Sequence, residues 1–98
     1  MLDVLTTQTF DRWLQGLRDM QAKAKVLARI RRASMGNLGD AEPVGDGISE
    51  MRIHYGPGYR VYFQQRGTRL VLLLAGGTKR TQQQDIHAAK RIAADWSE

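Results

Sequence analysis

Residues 48–77 constrain the fold more than any other part of the chain. In Ile48–Tyr55, Met51, Ile53 and Tyr55 share one parity, and Glu50, Arg52 and His54 share the other. Successive side chains of a strand point to opposite faces of its sheet, so this segment presents one apolar and one polar face. Gly56-Pro57-Gly58 then supplies a turn. Tyr59–Gln65 alternates again, with Tyr59, Val61 and Phe63 set against Arg60, Tyr62 and Gln64. A second turn, Gln65–Thr68 with Gly67, leads into Arg69–Ala75, which is apolar at both parities as a central strand buried on both faces would be. Gly76-Gly77 ends that run and permits a bend. The pattern predicts a three-strand antiparallel meander.

The first half reads as a short strand over Leu2–Leu5 followed by two helices. Thr7 or Thr9 caps the first helix, and Phe10, Trp13, Leu14 and Leu17 follow at helical spacing. Gly16 and Asp19 mark a break and a restart. Met20 to about Ser34 is helical again, with Val26, Leu27, Ile30 and Ala33 on one side, so the two helices form a hairpin. Residues 36–47 hold four glycines and Pro43 and read as a loop. The last element is a helix from about Gln82 to Trp96, where Thr81 and Gln84 match a capping box and Ile86, Ala89, Ala93 and Trp96 form the apolar stripe. The fold class is α+β, one domain over residues 1–98, with the C-terminal helix packed on one sheet face and the helices together covering one side.

Composition narrows the function classes. The 98 residues carry 15 bases against 10 acids, and eleven of the bases are Arg. Cysteine is absent and there are two histidines, which argues against disulfides, a thiolate metal site or a structural zinc. The longest apolar run, Leu70–Ala75, is far too short to cross a membrane. The start, MLDVLTTQ, lacks the basic and apolar regions of a signal peptide, so the expected location is the cytoplasm. Residues 51–91 hold eight bases and one acid, Asp85. Arg excess points to phosphate or carboxylate partners, because the guanidinium fork binds either in bidentate fashion.

Pleat geometry gathers that charge. Arg52 and His54 on one strand and Arg60 and Tyr62 on the next share a face, and Lys79 and Arg80 leave the neighbouring strand's end. This face would suit a polyanion, with phosphates on Arg and Lys and a base stacked on Tyr62 or Tyr55. Cleavage of RNA through its 2′-OH needs proton removal, stabilisation of the phosphorane charge and protonation of the leaving oxygen. Arg60 and Arg80 supply charge stabilisation; Tyr62, His54 or Lys79 moves protons. No metal or other cofactor is required. Lys23, Arg31 and Lys90 are further candidate RNA contacts, although the basic stretch 23–32 also reads as a plain solvated helix face. Asp85 reads as a favourable first-turn charge, and Trp13 and Trp96 as core. Arg60→Ala is expected to spare the fold, since a strand residue on the polar parity contributes little to the core.

The segment from Ile48 to Phe63, with Leu72–Lys79 and Gln84–Ile86, resembles the RelE/ParE toxin superfamily, and within it the HigB-like addiction module killer proteins; Gly36–Asp40 and Val44-Gly45 fit the same branch. The resemblance covers nearly the whole chain. It implies a compact RelE-like domain and a toxin of a type II toxin–antitoxin module, cutting mRNA on the ribosome without a metal. Its partners would be an adjacent helix-turn-helix antitoxin, the ribosome and mRNA, and operator DNA only through the antitoxin complex; no membrane is implied. Arg60 and the Lys79-Arg80 pair match positions implicated in catalysis in RelE-like toxins, and Arg52 a position usually basic in this branch. The pattern departs at Ile86, where the best-known RelE-like enzyme places a proton-transferring Tyr. ParE-like relatives lack the nuclease residues and poison DNA gyrase, which makes a non-nuclease toxin the alternative; a degenerate toxin acting as an antitoxin-binding corepressor is a third reading.

Overall fold

In chain order the elements are β1 (Asp3–Thr6), α1 (Gln8–Gln15), α2 (Met20–Ser34), β2 (Ala41–Gly45), β3 (Ile48–Ile53), β4 (Tyr59–Arg66), β5 (Leu70–Thr78), a 3-10 turn (Lys79–Thr81) and α3 (Gln82–Asp95). The structure, a computed structural model, describes residues 1–96; Ser97 and Glu98, the end of the expected domain, lie outside the described residues. One five-stranded sheet has the order β1-β5-β4-β3-β2. The predicted meander is its antiparallel centre, and β1 lies parallel to β5 along the far edge. β5 is therefore a central strand, and Val71–Ala75 are all buried, as apolarity at both parities requires.

The segment expected to be a loop over 36–47 contains β2, paired with β3 and bulged between Pro43 and Gly45. Pro and glycines mask its strand character, and both are tolerated there because β2 is an edge strand. The helices also differ from a one-sided arrangement. α1 and α2 cover one face, where Phe10, Val26 and Ala33 meet Met51, Val61, Phe63, Val71 and Leu73. α3 covers part of the other, where Ala89, Ile86 and Ile92 meet Ile48, Tyr62, Leu72 and Leu74. Trp13 and Trp96 sit half-buried at the margins of these two cores.

Local chemistry fixes the helix starts. The Thr7 hydroxyl accepts from the Phe10 amide at 3.1 Å and donates to the Leu74 carbonyl at 2.7 Å, capping α1 and fastening it to β5. Asp19 accepts from the amides of Gln21 and Ala22 to cap α2. At α3 the expected Thr81–Gln84 capping box does not form. Thr78 and Thr81 instead bond reciprocally around the 3-10 turn, and the Thr81 hydroxyl donates to Asp85.

A β-bulge governs the exit from the sheet. Tyr62 pairs with Ala75 and Phe63 with Leu73, so Leu74 is the extra residue. Leu74 and Ala75 both join the α3-side core, and the parity of β5 reverses beyond them. β5 then runs on through Gly76 and Gly77 rather than ending there. Neither glycine needs an unusual φ. A Cβ on Gly76 would overlap the Trp13 indole, and one on Gly77 would overlap the Asp85 carboxylate across the opposite face. The paired glycines serve close approach on two sides. Gly76→Ala is expected to displace Trp13 and cost about 1–3 kcal/mol, as overpacking does. A urea transition followed by tryptophan fluorescence measures this, and an unchanged midpoint would contradict the packing described.

Candidate nucleic-acid interface

The sheet register places Arg52 opposite Arg60 and Glu50 opposite Tyr62. Glu50 is 1% exposed, and its carboxylate organises what lies around it. Arg60 Nη1 donates to Glu50 Oε2 at 2.6 Å and Arg52 Nε to the same oxygen at 3.3 Å. The Gln82 side-chain amide donates to both Glu50 oxygens, at 3.0 and 3.2 Å. A buried carboxylate is tolerable only when paired and hydrogen-bonded, and two guanidiniums and an amide meet that requirement here. Because two cations answer one anion, the cluster stays positive. Neither Glu50 nor Gln82 was among the site residues that charge and parity singled out. A signal was present: Glu50 is the one acid between residues 47 and 84, and it shares its parity with Arg52.

Arg60 is held in this cluster with its side chain 14% exposed. It is not a dispensable surface residue, so the expectation that Arg60→Ala spares the fold is corrected. Truncation would strip Glu50 of its shortest contact while leaving the carboxylate buried.

Lys79 and Arg80 are exposed in the 3-10 turn. With Thr81 and Gln82–Gln84 they line a cleft of about 450 Å³ at the start of α3. The Lys79 amide donates to the Gly58 carbonyl at 2.8 Å, which ties the turn to the Gly56-Pro57-Gly58 corner. The helix N-terminus adds a partial positive charge to the two cations. Gln82 belongs both to the cleft wall and to the Glu50 cluster, and so links Arg52 and Arg60 to Lys79 and Arg80. The roomier cleft of about 640 Å³, between the chain's start, the end of α2 and the β4–β5 turn, holds a single base, Arg69, and none of the candidate residues.

Other expected members are elsewhere. Tyr62 is fully buried beneath α3, and its hydroxyl has no hydrogen-bond partner among the described residues. Burial chiefly, and then the nearby Glu50 charge, pushes the phenol well above its ordinary value. It is a neutral core phenol, without access to a substrate and without the basicity-on-demand of a proton carrier. The sequence could not reveal this, because parity alone does not say that a helix covers the polar face.

His54 lies beyond the end of β3. Its exposed ring bonds through Nε2 to Asp40 Oδ2 at 2.5 Å, and Arg52 Nη1 lies 3.9 Å from the other oxygen of that carboxylate. The His54 hydrogen bond is the main reason that Asp40 is held below the usual carboxylate range. His54 lines a shallow cleft of about 200 Å³ against α2 rather than the Lys79–Arg80 cleft.

Tyr55 is half-buried. Its hydroxyl is shared between Asp19 Oδ2 at 3.1 Å and Gln21 Oε1 at 2.9 Å, with Lys25 Nζ 5.2 Å from the ring centroid. Burial and the Asp19 hydrogen bond raise its pKa. Lys23 and Arg31 lie on α2, half-buried and exposed respectively. Lys90 reaches Asp46 Oδ2 at 3.7 Å and pins α3 to the β2–β3 turn. Asp85 takes the first-turn position expected of it.

The cleft can therefore bind and neutralise a phosphate with Lys79 and Arg80, backed by the Glu50-held guanidiniums. Lys79 is the one side chain of its lining able to carry a proton. Among the described residues no group of three His, Cys, Asp or Glu is placed to hold a metal ion, and no helix is long and apolar enough to cross a membrane.

Comparison with known proteins adds a family. A profile described as "Phage derived protein Gp49-like (DUF891)" matches residues 12–96. An uncharacterized protein of Haemophilus influenzae (strain Rd KW20) is 50% identical over 94 residues, which cover 96% of this chain and 95% of that protein. No solved structure matches the chain.

Two stability predictions follow from the buried cluster. Glu50→Ala leaves Arg60 without its counter-ion and is expected to cost about 3 kcal/mol, the lower end for a broken buried pair because Arg60 keeps some contact with water. Tyr62→Phe removes an unpartnered buried hydroxyl and should leave stability unchanged or raise it by about 1 kcal/mol. A phenol raised in the folded state contributes stability that is present below the ordinary value of 10.0 and is lost as pH climbs beyond it. The Tyr62→Phe protein should therefore lose less stability than the parent between about pH 8 and pH 11. Urea midpoints at the two pH values test both points, and equal alkaline losses would contradict the burial of the phenol.

Proposed function

The chain belongs to the phage-derived Gp49-like family, which is of the RelE/HigB-like toxin–antitoxin type, and on that premise we propose that it is a HigB-like toxin of a type II module that arrests translation by cutting mRNA on the ribosome. The observation that carries this reading is the exposed Lys79-Arg80 pair at the mouth of the α3 cleft, linked through Gln82 and Glu50 to Arg60 and Arg52. An RNA phosphate seated there would meet two exposed cations on a turn tied through the Lys79 amide to Gly58, above guanidiniums that Glu50 already holds in place, and charge set before the substrate arrives stabilises developing charge at low reorganisation cost. In this mechanism Arg80 contacts the scissile phosphate and Arg60 adds field from below; as the 2′-oxygen bonds to phosphorus and the bond to the 5′-oxygen breaks, the Lys79 ammonium gives a proton to the leaving 5′-oxygen and the 2′-OH proton passes to water. No metal takes part. The protein acts in the cytoplasm, where ribosomes are, and an adjacent helix-turn-helix antitoxin neutralises it and carries the pair to operator DNA.

A second reading is favoured by one specific feature. Tyr62 is buried, His54 faces α2, and Ile86 packs into the α3 core, so the aromatic and imidazole candidates for proton transfer all lie outside the cleft. A toxin that binds DNA gyrase without cutting RNA needs none of them.

Induced alone, the protein is expected to arrest growth, with new mRNA 5′ ends in translated regions seen by primer extension. Arg80→Ala should lower cleavage by about 10²-fold or more, the usual effect of losing a charge-stabilising group, with an unchanged melting temperature because Arg80 is exposed. Tyr62→Phe should still arrest growth and cleave. Arrest with intact transcripts would overturn the nuclease reading, and inhibited supercoiling by purified gyrase would establish the second.

A further inference from the structure

The outer face of α2 is unusual for a helix whose inner face is already committed. Ala22, Val26 and Ala33 are buried against the sheet. On the outside Met20, Ala24, Leu27, Ala28 and Arg31 recur at three- and four-residue steps and are all exposed, Met20 at 71% and Leu27 at 47%. Four of them, Ala24 to Arg31, line a trough of about 410 Å³. Ala24 and Ala28 stand four residues apart and leave the backbone low enough for another helix to lie close. Ala28 also borders the adjacent cleft of about 200 Å³, whose rim carries Lys25, Arg32 and His54. One surface thus sets an apolar trough beside a basic cleft.

The charge on this surface is unanswered. No acid occurs between Met20 and Ser34, and Lys25, Arg31 and Arg32 have no carboxylate partner among the described residues. Arg29, below them, directs its hydrogen bonds to the carbonyls of Arg52, Leu38 and Asp40. A second copy of this face would set like charge against like. A nucleic-acid backbone would answer the charge but gain nothing from Leu27, Met20 and the alanines. A ligand that uses both halves must carry apolar side chains along one line and carboxylates beside it.

We propose that the outer face of α2 is the docking surface for an acidic amphipathic helix of a partner protein, with apolar side chains over Leu27 and Ala28 and carboxylates reaching Lys25 and Arg32. That the partner is the neutralising antitoxin rests on the toxin reading above; the docking itself does not. α2 and α3 lie on opposite faces of the sheet, so this surface is separate from the Lys79–Arg80 cleft.

The test titrates the full chain, ¹⁵N-labelled, with three probes: a synthetic amphipathic peptide with Leu at three- and four-residue steps flanked by Glu, the same peptide with Lys for Glu, and a single-stranded oligoribonucleotide. The acidic peptide is expected to shift the amides of Ala24, Leu27 and Ala28. Leu27→Asp, and separately the double variant Lys25→Glu/Arg32→Glu, should weaken it by about tenfold or more, whereas Arg91→Glu on α3 should not. The double variant should in turn bind the Lys peptide, a reversal that mere loss of folding cannot produce. Equal binding of the two peptides, shifts confined to other elements, or preferential occupation of the same α2 amides by the oligoribonucleotide would overturn the proposal. None of these outcomes depends on growth arrest, so the docking surface can fail while the toxin reading stands, and the reverse.

Discussion

The carboxylate of Glu50 is the point at which the sheet, the last helix and the cationic surface are made into one object. It is nearly inaccessible to water, and an ion so placed would be strongly disfavoured without partners. Arg60 and Arg52 arrive from two strands and Gln82 from the first turn of α3. Each contact positions something beyond itself. The Arg60 contact orients the guanidinium nearest the core, and the Arg52 contact extends the network toward Asp40 and His54. The Gln82 contact fixes the start of α3, and with it the turn that presents Lys79 and Arg80. Because buried ion pairs contribute little net stability against apolar replacements of similar shape, the cluster is better understood as an alignment device.

The bulge at Leu74 does the same for the backbone. Without the extra residue, Gly76 and Gly77 would exchange faces, and the close approaches to Trp13 and Asp85 would be lost together. The chain would also leave the sheet half a pleat out of phase, and the 3-10 turn would present its cations in a different direction. The alignment of the exit therefore depends on one irregularity in the most apolar strand of the protein.

Much of this was legible in the residues, and the failures have identifiable causes. Alternation in 48–55 and 59–65 and continuous apolarity in 69–75 specified the meander, because each pattern has a single pleated solution once turns bound it. Thr7 was one of two cap candidates, Asp19 marked the restart that it proves to cap, and the positions of the first two helices were readable from local chemistry. β2 escaped because edge strands tolerate the Pro and Gly that mark loops. The bulge escaped because a strand apolar at both parities carries no phase information. Tyr62 was misplaced for a related reason: a tyrosine on a polar parity reads as exposed until the longer-range packing of α3 is known. Within the candidate site, Arg52, Arg60, Lys79 and Arg80 were found through charge and parity. Glu50 and Gln82, which hold them together, were passed over because an acid and an amide among so many bases look like ordinary surface.

The absence of His54 and Tyr62 from the cleft has a consequence for how such a site would work. General acid–base groups typically contribute about 10²–10⁴-fold, and preorganised electrostatics a comparable or larger share. A cleft supplied with cations and one lysine has the second and little of the first. Reaction through the 2′-OH would then lean on alignment, since holding nucleophile and phosphorus in line converts the attack into an effectively unimolecular step worth about 7–11 kcal/mol in favourable cases. A second body that grips the strand on either side of the phosphate would supply that alignment, and in the nuclease reading the ribosome is the body proposed for it.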